Sequence, residues 1–254
     1  MQDFQVEQDL VICRALVGIF THPLLRDALA FRGGTALYKL HLKPAARYSE
    51  DIDLVQVNAE PAGSMMDALR EVLGPWLGAP RWKQTEGRIT FNYRFLSEDP
   101  TPLPLKLKVE VNTREHFSEL GLQRVPFSFS SRWFEGSCDV TSYDLDELLG
   151  TKLRALYQRR KGRDLFDLAT ALTQGKAHPG RIVAAFSRYM LEGGHHVTRA
   201  VFEENLLSKL QDKRFVSDLP PLLATGQDWN ADEHAALIIE RLCPILPGAA
   251  WKRE

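Results

Sequence analysis

FRGGTALYKLHLKPAARYSEDIDLVQV, residues 31–57, is the stretch that decides how this chain is to be read. It has the form of a strand entering a Gly33-Gly34 turn, a short helix, a polar loop, and a second strand that carries Asp51-Ile52-Asp53. Side chains alternate along a strand, so Asp51 and Asp53 share one face while Ile52 and Leu54 share the other. Two neighbouring carboxylates repel, and each raises the other's proton affinity unless a cation sits between them. A divalent ion removes that cost, and Mg²⁺ held by a few carboxylates plus substrate phosphates is the usual arrangement in phosphoryl transfer. The Gly33-Gly34-Thr35 turn opens a helix whose glycines permit close backbone approach and whose free N–H groups suit a phosphate. Taken alone, an Asp-x-Asp strand is more often a solvated face, and a Gly-Gly turn only a turn. The combination, a glycine turn and short helix delivering the chain into paired strand carboxylates, is what points to phosphate chemistry.

Outward from that stretch, 254 residues give room for two domains. A hydrophobic share of 44% with 26% charged residues is ordinary globular composition. A net charge of −1 excludes a protein that coats nucleic acid indiscriminately, and it leaves room for a local basic patch. Asp3 and Glu7 stand where a secretory leader carries positive charge, and no apolar run reaches membrane-spanning length. Cys13, Cys138 and Cys243 have no metal-ligand spacing and fit reduced thiols. The expectation is a cytoplasmic protein without a membrane segment.

Apolar spacing predicts an amphipathic helix over 4–20 and a short one over 24–29 leading into a strand at Ala30-Phe31-Arg32. A further helix is expected from Pro61 to about Leu77, ended by Gly74-Pro75 or by Gly78. Strands follow over 81–85 and 88–96, joined at Glu86-Gly87, and over 105–112. In the last of these Leu105, Leu107, Val109 and Val111 face one way, and Lys106, Lys108, Glu110 and Asn112 face the other. Glu110 is a strand carboxylate flanked on its own face by Lys108 and Asn112, a pattern that a salt-bridged exposed face also gives. Phe127, Phe129, Cys138 and Val140 suggest two more short strands. From Tyr143 onward the texture is helical, with a capping-box spacing at Asp144 and Glu147 and helices over 144–160, 163–172, 179–191, 198–210 and 232–242. The expected fold class is therefore α+β: residues 1–142 form a mixed sheet flanked by helices, and residues 143–254 form a helical domain.

Gly34-Thr35, then a helix, then Ser49-Glu50-Asp51-Ile52-Asp53-Leu54 resembles the signature of the polymerase-beta-like nucleotidyltransferase superfamily. The wording FRGGTAL followed by RYSEDIDL is similar to its AbiEii branch, which includes toxins of bacterial toxin–antitoxin pairs and the MenT toxins. A second block, Lys152-Leu153-Arg154-Ala155-Leu156 and then Arg163-Asp164-Leu165-Phe166-Asp167-Leu168, resembles the same family, although dense charge of this kind is also what a solvated helix face carries.

The resemblance implies a Mg²⁺-dependent nucleotidyltransferase, with Mn²⁺ as an alternative ion. Asp51, Asp53 and Glu110 would be metal ligands and catalytic. Gly34, Thr35, Ser49 and Lys152 would bind the nucleotide, and Asp164, or Asp167 one turn on, would complete the site with the helical domain. Lys43, Arg47 and Arg159 are candidates to line the acceptor's approach. The implied substrates are an NTP and an RNA acceptor, with tRNA foremost and arrested translation as the outcome, and the implied partner is an antitoxin protein. Two alternatives stand beside it: transfer to a small molecule such as an antibiotic or to protein hydroxyls, and a non-catalytic binding descendant. An acidic acceptor pocket would favour the first, and loss of the carboxylate pair the second.

Overall fold

A computed structural model describes residues 3–98 and 101–252. The chain divides into two compact units between Tyr143 and Asp144. The first opens with α1 (Asp3–Thr21) and α2 (Pro23–Ala28), the latter started by Pro23 and by the His22 ring, which accepts the Leu25 N–H. The chain then enters β1 (Leu29–Arg32) and α3 (Gly33–Ala36), which runs into a π-helical turn over Leu37–His41. β2 (Asp51–Gln56) and α4 (Gly63–Leu77) follow. Pro75 does not end α4; the stop comes at Gly78, whose φ of +79° suits glycine. Five further strands are β3 (Arg81–Thr85), β4 (Arg88–Leu96), β5 (Pro104–Asn112), β6 (Leu122–Ser130) and β7 (Glu135–Tyr143).

These strands make one seven-stranded mixed sheet in the order β3-β4-β5-β2-β1-β7-β6. β2 lies antiparallel to β1 and parallel to β5, and β5 is antiparallel to β4. β6 and β7 are nine residues each, longer than the short strands expected. Pro126 is why only the later part of β6 reads as a strand; β6 is an edge, where proline is tolerated. One side of the sheet is apolar. Ile52, Leu54, Ile89, Phe91, Tyr93, Leu107, Val109 and Val111 are all buried. α4 packs on this side, where the Tyr93 hydroxyl reaches the Leu69 carbonyl at 3.5 Å. α1 ties in through Gln8, whose amide donates to the Lys106 carbonyl at 2.8 Å. α1 and α4 meet so closely at Gly18 that a β-carbon there would lie 2.8 Å from Val72. Burying such side chains contributes about 1.5–3 kcal/mol each, so this layer fixes the register of the whole sheet.

The second unit is helical: α5 (Leu145–Gln158), α6 (Gly162–Thr173), α7 (Pro179–Glu192), α8 (Arg199–Leu210), the short α9 (Lys213–Val216) and α10 (Ala231–Arg241). The Asp144 carboxylate caps α5 by accepting from the Asp146 N–H at 2.9 Å. Glu147 takes a 2.8 Å hydrogen bond from the buried Tyr189 hydroxyl. α5 and α7 cross at Gly150, where a β-carbon would lie 2.6 Å from that of Ala185. Gly162 starts α6 rather than merely separating two helices, because it lies against the Phe215 carbonyl. The Lys209 amine donates to the Leu156 and Tyr157 carbonyls at the end of α5, and its burial lowers it to about 8. No helix among the described residues is long and apolar enough to cross a membrane.

Candidate active site

The Gly33 turn and the entry to β2 are bound together by one residue. Thr35 is buried, and its hydroxyl donates to the Asp51 carbonyl at 2.6 Å while lying 2.6 Å from the Ser49 hydroxyl. Gly33 has φ +84°, a conformation that glycine adopts freely. A β-carbon there would collide with the Asp53 carboxylate. The glycine turn is thus the surface against which Asp53 is packed. Thr35 ties the turn to the carboxylate strand through its buried hydroxyl.

Parallel pairing of β2 with β5 sets Asp51 opposite Lys108 and Asp53 opposite Glu110. On the other flank Arg32 of β1 lies opposite Asp53. Three carboxylates on two adjacent strands therefore share one face with two cations. The Lys108 amine stands between the acids, 3.4 Å from Asp51 and 3.1 Å from Glu110. Arg88 on β4 adds a 3.3 Å contact to Glu110, and Arg32 is held by Glu115 at 2.5 Å. Asp53 is half-buried, and burial, with Asp51 and Glu110 adding to it, pushes its carboxyl above the ordinary range against the pull of Arg32 and Lys108. Burial works against the Lys108 charge, but Asp51 and Glu110 outweigh it and raise that amine.

A donor set of carboxylate oxygens on neighbouring strands suits a hard divalent cation, and the Lys108 ammonium already occupies the position of a cation between two of them. The residues fit such an ion. As the side chains stand, no three His, Cys, Asp or Glu among the described residues close around a common point. Glu110 is instead turned toward Lys108 and Arg88.

The second sequence block forms its own cluster inside the helical unit. Lys152 on α5 is 6% exposed, and its amine lies 3.0 Å from both Asp164 and Asp167 of α6, each fully buried. Arg159 grips Asp164 from the other side at 2.7 and 2.8 Å. Despite the cost of burial, these two cations hold the Asp164 carboxyl far below its usual range. Asp164 and Asp167 therefore act together on one lysine, three residues apart on one helix face.

Two of the proposed acceptor-lining cations are differently employed. Arg47 is buried, donates to the Tyr48 carbonyl at 2.9 Å and stacks 5.2 Å from the Tyr38 ring, so it supports the loop instead of lining an approach. Arg159 is tied to Asp164, while Lys43 is exposed. Sequence reasoning passed over Arg32 and the bridging position of Lys108. The signal for Arg32 is a lone charge ending the apolar strand Leu29-Ala30-Phe31.

Comparison with solved structures shows the same fold. The mycobacterial toxin MenT4, a nucleotidyltransferase from Mycobacterium tuberculosis H37Rv, superposes with a TM-score of 0.64 at 17% identity, over 93% of this chain and 82% of that one. A protein from H. pylori described as a nucleotidyltransferase gives a TM-score of 0.56 at 16% identity, over 98% of this chain and 100% of that one. Comparison with curated proteins found no match. The family model for the nucleotidyl transferase AbiEii toxin of type IV toxin–antitoxin systems matches residues 14–236. That span carries the paired strand carboxylates and the buried lysine cluster alike, and the chain belongs to the AbiEii nucleotidyltransferase toxin family.

Proposed function

We propose that the protein transfers a nucleotide from an NTP, with Mg²⁺ or Mn²⁺, to the 3′ end of an RNA, tRNA being the foremost acceptor, and that this arrests translation. The observation that carries the proposal is the register of β2 with β5, which sets Asp51, Asp53 and Glu110 side by side next to the Gly33 turn. Asp51, Asp53 and Glu110 would hold the divalent ion, which when bound screens the phosphates and lowers the acceptor hydroxyl's pKa. Burial, with mutual repulsion adding to it, raises the proton affinity of Asp53 and makes these groups receptive to a divalent charge. In the transfer, the acceptor 3′ oxygen forms a bond to the α-phosphorus while the bond from that phosphorus to pyrophosphate breaks. Glu110 is the group in reach of the face to take the acceptor proton, once released from Lys108 and Arg88.

Gly34 and Ser49 are read as flanking the nucleotide phosphates, with Thr35 holding Ser49 and the strand in place. Family resemblance assigns Lys152 to the triphosphate and makes residues 143–254 a domain that completes the active site. A cytoplasmic setting supplies both substrates, and an antitoxin encoded with the protein is the partner that would silence it. The test is incubation with each labelled NTP, Mg²⁺ and total RNA. Label on RNA, and tRNA above other species, is the expected result; label on protein or on an added aminoglycoside with none on RNA overturns it.

A further inference from the structure

The polar side of the sheet continues outward from the carboxylates onto β5, β4 and β3. Register and alternation put Arg81 and Lys83 of β3, Arg88 and Arg94 of β4, and Lys106 and Lys108 of β5 on that side. Thr85, Thr90, Asn92 and Asn112 fill most of the remaining positions, and Glu110 is the one acid there. Arg88 and Lys108 spend their charge on Glu110. Arg81, Lys83, Arg94 and Lys106 are exposed, and among the described residues none of the four has a carboxylate partner.

This arrangement has a cost that the fold alone does not recover. Arg94 and Lys106 are directly opposite each other, and like charges in that relation destabilise a sheet. Basic residues on β3 could serve to keep an edge strand from pairing with other chains. Lys106 has less such use: β5 lies between β4 and β2, and although its pairing with β2 begins only at Lys108, the Lys106 carbonyl is already taken by the Gln8 amide. The surface also lacks the aromatic or aliphatic anchors on which protein partners rely; its apolar positions, Leu96 and Pro104, lie at one end. What it offers is repeated positive charge and short hydrogen-bonding side chains, ending about 10 Å away, two strand spacings from β4, at Asp51 and Asp53.

We infer that the open face of β3, β4 and β5 binds the phosphate backbone of the RNA acceptor and leads its 3′ end to the Asp51–Asp53 strand. The inference rests on the RNA reading above and adds where the acceptor lies. Contacts of this kind are sequence-independent and salt-sensitive, and the near-neutral charge of the whole chain conceals them.

The experiment uses the full chain, a fluorescent single-stranded oligoribonucleotide ending in CCA, and R94Q/K106Q. The double variant should bind about 10-fold more weakly, and its log–log salt slope should flatten by about 1.4, from two contacts at about 0.7 each. R94K/K106R should bind like wild type, and so should K176Q/K213Q, which removes two exposed charges from the helical unit. Mg²⁺–NTP binding should be the same in all four proteins, and the unfolding midpoint of R94Q/K106Q should be no lower than wild type. If R94Q/K106Q binds RNA within about twofold of wild type with an unchanged slope, the surface assignment is wrong while the RNA reading stands. If wild type binds Mg²⁺–NTP and no RNA, both fall together.

Discussion

The two acidic clusters use the same residue types to opposite ends. On the strands, Asp51 and Glu110 share Lys108, Arg88 adds a contact to Glu110 and Arg32 lies opposite Asp53; the group remains partly open, and burial with mutual repulsion drives the Asp53 carboxyl upward. On the helices, two fully buried carboxylates enclose one lysine, an arginine closes the other side, and the Asp164 carboxyl is driven down. With Glu115 holding Arg32, the strand cluster keeps a small excess of negative charge and is receptive to a further cation. The helical cluster is nearly neutral within itself and works first as an ionic tie between α5 and α6. Enclosure, more than the count of cations, separates a binding arrangement from a structural one.

The comparison breaks most visibly in activity. Asp53→Asn should lower transfer at least about 10³-fold, the scale expected when a group that stabilises transition-state charge is removed. The same variant should be no less stable than wild type. A group whose folded pKa is raised contributes stability that is present at low pH and lost as pH rises through that folded pKa, so at neutral pH the charged Asp53 is a burden on the metal-free protein. Denaturant titration at pH 7 without divalent ions checks this; a clear loss of stability would show that Asp53 is structurally paired instead.

Asp164→Asn should behave in the reverse sense and cost about 3 kcal/mol at pH 7, because it strips one partner from a buried pair. Here the folded pKa is depressed, so the stability is present above the ordinary aspartate pKa of about 4 and is lost as pH falls toward the folded value. Wild type and variant should therefore begin to converge in stability below about pH 4, and go on converging as the pH falls toward the folded value. Parallel curves across the acid range would remove Asp164 from the tie.

Lys152→Met sharpens the contrast further. Alone it should lose both stability and turnover, whereas Lys161→Ala, an exposed partner of Asp218, should change stability by less than about 1 kcal/mol. Adding Asp167→Asn to Lys152→Met should restore much of the stability. Transfer staying at least about 10-fold down in that double variant, at 1.36 kcal/mol per tenfold, would separate a nucleotide role from the ionic one. Full recovery would leave Lys152 purely structural. The smallest effect belongs to Lys108→Met, which should tighten Mg²⁺ binding several-fold in calorimetry by removing a competing cation. Weaker binding would mean that the amine organises the carboxylates for the ion.

Much of this molecule was legible because alternation leaves few choices. Strand limits at 81–85 and 88–96 follow from apolar residues at every second position of β4 and the Glu86-Gly87 turn. A strand-rich first part and a helical second half follow from the same periodicities. Alternation alone could not say which strand lies beside Asp53; the family resemblance brought Glu110 into consideration, and the parallel register of β5 shows it opposite Asp53. What stayed hidden depends on where side chains end. Arg47 has the look of a surface cation, but Tyr38 offers its ring and the chain folds over it. Thr35 sits where a phosphate contact would be sought, yet the nearest acceptor is a backbone carbonyl of its own site. Lys152 reads as one charge among many until α6 brings two carboxylates to it.

Gly33 carries a consequence of a genetic kind. Every single-nucleotide missense change of a glycine codon installs a β-carbon, and at this residue that atom would fall on the Asp53 carboxylate in a backbone conformation other residues seldom adopt. There is no mild substitution. In a population selected to survive expression of a toxin of this family, codon 33 should therefore gather disabling changes of every accessible type. Most codons for surface residues would yield survivors only through stop codons or frameshifts.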